Sequence, residues 1–194
     1  MSKIAIKGNE SGTATFTIEA PATNTDRIFE LPDEAGKILT DVGVPTSAMP
    51  AGSVIQVVSV LHETETSTTS TSFVSTGLSA TIMPSSANSK ILILVSQSLS
   101  LLSSNANAGI GYRLAKTVNS STTSLRPSHM LLRSAIDIDL NAIDLPVCLN
   151  QLDSPNTTSP VTYFTQMSGA TNITAFTNRG VNRTSEITLM EIAG

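Results

Sequence analysis

Prolines, glycines and β-branched residues interrupt nearly every window of this sequence long enough to hold a helix. Between the interruptions apolar and polar residues alternate with a period of two, which turns one face of a strand inward and the other toward solvent. Strands are therefore expected at Ser53–Leu61, Thr71–Ile82, Lys90–Leu102, Gly109–Val118, His129–Leu140, Leu145–Asn150, Val161–Gln166, Asn172–Phe176 and Ser185–Ile192. A helix competes only within Ser128–Asp144, where Met130, Leu131, Leu132, Ala135, Ile136 and Leu140 would also make a helical stripe. Short strands recurring with turn signals between them are the pattern of an all-β sandwich or barrel.

One strand differs from the others. In Lys90–Leu102, Ile91, Ile93, Val95, Leu99 and Leu101 share a face with Gln97, while Leu92 and Leu94 lie opposite. Its first half is apolar on both sides, as suits a central strand or one at a subunit contact. Alternation specifies faces but not neighbours, so the order of strands stays open at this stage.

The chain changes character near residue 50. Two prolines and a glycine in Val44–Gly52 forbid regular structure and mark a linker. The expected division is an N-terminal attachment or shaft segment, residues 1–50, and a β-sandwich head, residues 51–194. In the segment, Thr13, Thr15 and Thr17 alternate with Ala14, Phe16 and Ile18, and Arg27–Leu31 and Lys37–Thr40 add two short strand pieces after turns at Ala20–Asp26 and Pro32–Gly36. A piece of that size with so few large apolar groups cannot bury a core that offsets its chain entropy. It should pack on a neighbour or on copies of itself.

Composition removes several functions. Aromatic residues are 4% of the 194, with no Trp, so the core must be built from Val, Ile, Leu, Ala and Met, and base-stacking platforms are lacking. Eleven Lys and Arg against fifteen Asp and Glu leave a net charge of −4, which offers no electrostatic footprint for nucleic acid. The longest apolar runs, Ile91–Val95 and Met130–Leu132, fall far short of the roughly 20 residues of a membrane-spanning helix. The opening Met1-Ser-Lys-Ile-Ala-Ile-Lys lacks the continuous apolar stretch of an export signal, so the chain is expected to stay in a cytosol until assembly. Ser and Thr supply roughly a quarter of the residues, and the neutral surface they make suits packed assemblies and saccharide contacts.

Candidate chemistry is sparse. His62 and His129 are the only histidines, and neither lies near a nucleophile motif such as Gly-x-Ser-x-Gly. Cys148, alone and therefore without an intrachain disulfide, sits in the apolar Leu145-Pro-Val-Cys-Leu149 and reads as a core residue. Asp137-Ile-Asp-Leu-Asn141-Ala-Ile-Asp144 resembles a cation loop, but Ala142 and Cys148 stand where a calcium loop needs Gly and a bidentate Glu. Alternating acids and aliphatics are also what a half-exposed strand looks like, and spacing alone does not support a glycosidase pair. Gly109-Ile-Gly111 lacks the third glycine and the helix of a phosphate loop. Asn-x-Ser/Thr sites at Asn9, Asn119, Asn156, Asn172 and Asn182 follow from the Ser/Thr abundance. No catalytic, cofactor-binding or metal-binding residue is assigned, and no cofactor is expected. The loops Glu63–Ser70, Ser103–Ala108, Asn119–Arg126 and Leu152–Pro160 are the places where binding would sit.

Two stretches carry a resemblance. Ser11–Leu39 contains a Thr-rich strand, Ala20-Pro-Ala-Thr-Asn24, a hydrophobic strand, Leu31-Pro-Asp-Glu-Ala-Gly36 and a closing hydrophobic strand, which resembles a segment of tailed-phage fibre and appendage proteins. The rest is similar to the C-terminal β-domain of marine-phage fibres through Gly52-Ser-Val-Ile-Gln-Val-Val58, Ser75–Pro84, Ser89-Lys-Ile-Leu-Ile-Leu94 and Ile187–Gly194. The resemblance implies a virion protein: a homotrimeric tail fibre or spike with a jelly-roll-like head. Residues 1–50 would join it to the particle, and the distal loops would contact a host glycan or an outer-membrane receptor. A capsid fibre or decoration protein is the alternative. A polysaccharide-degrading tailspike needs paired carboxylates in one groove and a long catalytic solenoid for which the chain has no room, and a free-standing carbohydrate-binding module would be monomeric.

Overall fold

A computed structural model describes residues 11–12, 49–103, 109–126, 129–130, 143–169 and 173–194. The chain divides into two compact units, Met1–Ile38 and Leu39–Gly194. The expected strand pieces of residues 13–40, the Asp137–Asn141 run and the helix alternative of Ser128–Asp144, apart from its ends, lie outside the described residues.

Among the described residues the structure is all β. In chain order the strands are β1 (Val54–His62), β2 (Thr66–Thr68), β3 (Val74–Ile82), β4 (Lys90–Ser103), β5 (Gly111–Val118), β6 (Ser121–Ser124), β7 (His129–Met130), β8 (Ile143–Asp153), β9 (Val161–Ser168), β10 (Ile173–Thr177) and β11 (Ser185–Ile192). They form two antiparallel sheets. The first runs β1-β11-β4-β8, with β10 and β2 continuing the β11 and β1 positions along the upper part of the 14-residue β4. The second runs β3-β9-β5-β6, with β7 also pairing β5. Leaving out the short β2, β7 and β10, the pairs nest: β5 with β6, β4 with β8, β3 with β9, and β1 with β11. One long hairpin rolled up so that successive strands alternate between two sheets is a jelly roll.

The turns explain how the roll closes. Asn119 and Ser120, both at positive φ (47° and 65°), link Val118 to its partner Ser121 as a two-residue hairpin whose twist matches that of the strands. Sequence reading took Asn119–Arg126 for a loop because the turn lacks the usual Asn-Gly, and it likewise missed β2 inside Glu63–Ser70. β3 carries an irregularity between Ser75 and Ser79, where Gly77 takes φ +88°. A Cβ there would stand 2.6 Å from His62 Nε2, so position 77 needs glycine both for its backbone and for the ring packed on it.

Two apolar clusters fill the space between the sheets. The lower holds Leu78, Ile82, Ile91, Ile93, Leu114, Tyr163, Ile187 and Leu189, and the upper Leu99, Leu101, Ile110, Tyr112, Met167 and Ile173. A polar seam separates them at the level of Gln97, which sits between Val95 and Leu99 on the inner face of β4. Its Oε1 accepts hydrogen bonds from Tyr112 Oη (2.6 Å) and Thr165 Oγ1 (2.7 Å), and Thr165 in turn meets Thr76 Oγ1 at 2.5 Å. Gln97, Thr165 and Thr76 are all buried, and burial pushes the Tyr112 phenol well above its ordinary pKa. As expected, β4 is a central strand, paired along both edges.

A buried acid closes the lower end. Glu191 points inward from β11 and is fully shielded, its carboxylate accepting from Gln56 Nε2 (2.5 Å), Ser85 N (2.7 Å) and Ser85 Oγ (2.6 Å). Burial by itself would raise its pKa, but the hydrogen bonds from Ser85 and Gln56 outweigh it and hold the carboxyl below the usual range. A depressed folded-state pKa gives stability that is complete above the unfolded value of about 4.3 and drains away as pH falls through the folded one. Urea midpoints should therefore drop between pH 5 and pH 3 more steeply for the native protein than for Glu191→Gln, which should already be weaker at pH 7. Equal slopes would assign the acid sensitivity elsewhere.

Candidate functional site

Among the described residues, those singled out for chemistry do not converge. His62 ends β1 with its ring over Gly77, while the backbone of His129, on β7, pairs Tyr112 of β5. Asp144 is tied up by the Ser100 hydroxyl and by Arg183, 2.8 Å away. Gly111 is packed rather than open, since a Cβ would fall 2.4 Å from Ser168 Oγ and 2.9 Å from Phe73 Cζ. Asn119, Asn156 and Asn182 all take positive φ, so they serve as turn residues. No group of three His, Cys, Asp or Glu among the described residues could hold a metal ion.

Cys148 corrects an expectation. It is exposed, not core. Leu145, Val147 and Leu149 alternate with it on β8, and once Val147 faces the upper cluster the period of two sends Pro146, Cys148 and Asn150 outward. The apolar neighbours were read as a buried run when they are one face of an edge strand.

The chemistry that distinguishes this protein lies instead on the two outer faces of the sandwich. Across β3-β9-β5-β6, Thr81, Thr162, Thr117 and Thr122 stand in one row, with Thr81 and Thr162 hydroxyls 2.8 Å apart and those of Thr117 and Thr122 2.9 Å apart. Beside this ladder Arg113 donates to Gln166 (2.8 Å) and lies over the Phe73 ring at 4.2 Å. The next row on that face is Ser79, Phe164, Ala115 and Ser124, so the face mixes hydroxyls with a buried Ala115 and the Phe164 ring.

The opposite face carries one wholly apolar row. Register aligns Val57, Met190, Leu92 and Leu152 in one row across β1-β11-β4-β8. The next row is Ser59, Thr188, Leu94 and Asn150, and the one after it Leu61, Glu186, Ser96 and Cys148. Val57 is 55% exposed, Leu61 63%, Leu94 37% and Leu152 50%. Shallow concavities interrupt the face, one of about 390 Å³ between Leu94, Cys148, Asn150 and Glu186, another beside Arg126, Leu92 and Leu152. The Glu186 carboxylate leans toward the Leu94 row, accepting from Ser59 Oγ at 2.7 Å. At the β8 edge Arg126 donates from Nε to Gln151 Oε1 (2.9 Å) and from Nη2 to the Asn150 carbonyl (2.9 Å). Sequence alternation puts Leu92 and Leu94 on the face opposite Ile91 and Ile93, but the register that gathers Val57, Met190 and Leu152 beside them could not be read locally.

No family model matches the sequence, and no curated protein matches it. Among solved structures the chain is similar to particles of infectious bursal viruses. One is a 2.6 Å structure of virus-derived T=1 particles, with 12% identity, a TM-score of 0.36, and 72% of this chain covered against 36% of that one. A structure of infectious bursal disease virus, Gx strain, gives 13% identity, a TM-score of 0.35, and 72% and 37% covered. The VP2 subviral particle of that virus gives 11%, 0.32, 71% and 37%. The likeness spans little more than a third of the length of those chains.

Proposed function

We propose that this protein is a non-enzymatic structural component of a virion, a trimeric tail fibre or spike assembled in the host cytoplasm. Residues 1–50 attach it to the particle, and the jelly-roll head contacts the host surface. The observation that carries the reading is the contrast between the two outer faces of one sandwich. A free monomer gains nothing from aligning Val57, Met190, Leu92 and Leu152 toward water, whereas a subunit of an assembly buries them. The resemblance of Ser11–Leu39 and of the head to phage fibre segments agrees with this reading. Recognition of a host glycan or outer-membrane component would use backbone groups and the Asn, Gln, Ser, Thr and Tyr side chains of the loops.

Mixing the full chain and a truncated chain beginning at Gly52 with host cells and with purified tails or capsids tests the proposal. Cell binding by the shorter chain supports a receptor-binding fibre and directs mutagenesis to its loops. Capsid binding that is lost with residues 1–50 favours a decoration protein instead, and binding to none of these overturns both.

A further inference from the structure

We infer that the surface through which copies of this chain assemble is the outer face of β1-β11-β4-β8, three copies closing around an axis parallel to the strands; this rests on the trimeric reading above. Leu92 and Met190, on the two central strands, then point at the axis. The β8 edge of each copy meets the β1 edge of the next.

Size is the first argument. Four strands spaced about 4.8 Å apart make a face about 19 Å wide, and three such faces enclose a triangular prism whose walls lie about 5.5 Å from the axis. Packed sheets stand about 10 Å apart, so each normally reaches about 5 Å to the contact plane, and side chains from three copies fill the prism without a channel. Four copies would place each wall about 9.5 Å from the axis and leave a void. The face follows β4 from Lys90 to Ser100, about 33 Å, giving an area of about 600 Å² per copy, which approaches the 800 Å² or so per partner of stable interfaces.

Complementarity is the second argument. Rotation about an axis parallel to the strands keeps every row at its own height, so a cyclic contact requires the two ends of each row to match. They do. Leu152 at the β8 end stands at the height of Val57 at the β1 end, and both are about half exposed. Arg126, held at the level of Asn150, faces the next copy's Glu186, whose carboxylate leans to that same level through Ser59. The opposite face, with its threonine ladder and the mixed row Ser79, Phe164, Ala115 and Ser124, has no such wholly apolar row.

Light scattering on the full chain tests this, with two variants. Leu92 projects outward, so Leu92→Glu should leave the sandwich folded by circular dichroism while reducing a mass of three chains to one. Leu61→Cys uses the native Cys148: the two lie at opposite ends of one row, about 14 Å apart within a chain and beyond disulfide reach, but adjacent between chains. Mild oxidation should link that variant into two- and three-chain species that reducing agent dissolves, with no such ladder from the native protein. A native trimer that survives Leu92→Glu and does not cross-link overturns the assignment of this face while leaving the trimer intact. A native monomer at micromolar concentration overturns both.

Discussion

Asp153→Ala is expected to lower the unfolding free energy by about 3 kcal/mol at pH 7, near the low end for breaking a buried ion pair. Asp153 lies on β8 in one sheet, and its carboxylate takes both contacts from the Lys116 ammonium of β5, at 2.7 and 2.9 Å, and one from the Tyr163 hydroxyl of β9, at 2.8 Å, in the other. The side chains of Lys116 and Asp153 keep only 16% and 11% of their exposure, and Tyr163 is wholly buried. Removing the carboxylate strands a cation and a phenol where water reaches poorly, and each loses its partner without being replaced. Burial and the hydrogen bond to Asp153 together push the Tyr163 phenol above its ordinary pKa, so it stays protonated and donates. Tyr163→Phe, which removes only the donor, should cost about 1 kcal/mol. Urea unfolding would measure both, and a loss below about 1 kcal/mol for Asp153→Ala would mean that the pair does not hold the sheets together.

Why such a contact could not be foreseen shows what the sequence reveals of this fold. Alternation places Ile91, Ile93 and Val95 on one face of β4 and gives most strands to within a few residues, because period two is a local property. Partnership is not local. β1 pairs β11 across nearly the whole described head, and nothing around Val57 indicates that Met190 will lie beside it. The apolar outer row and the Lys116–Asp153–Tyr163 cluster both exist only after the roll closes, so they are legible in the register and invisible in the string. Cys148 shows the same limit at smaller scale: a strand apolar at Leu145, Val147 and Leu149 looks buried throughout until its outward side is found at a sheet edge. Ser-rich turns were equally opaque, since Ser120 adopts a conformation usually left to glycine.

Gln97→Met is expected to cost about 3 kcal/mol, although the substitution nearly conserves volume and adds apolar surface to a core. The amide oxygen is the shared acceptor of Tyr112 and Thr165, and both donors are buried between the two apolar clusters. Losing that acceptor leaves the Tyr112 hydroxyl bare and Thr165 with Thr76 Oγ1 as its remaining partner, at about 1 to 3 kcal/mol together. The seam predicts strong non-additivity. Tyr112→Phe and Thr165→Val remove the same donors, so the triple variant Gln97→Met, Tyr112→Phe, Thr165→Val should be more stable than Gln97→Met alone, because no phenol is left bare and the Thr76 hydroxyl keeps the Thr165 carbonyl as its acceptor. The triple variant would also join the two clusters into one continuous core, and its amide exchange near Val95 and Leu99 should slow relative to the single variant. If the triple variant is instead as unstable as the sum of its parts, the hydrogen bonds at Gln97 contribute independently, and the seam is not the cooperative unit that its shared acceptor implies.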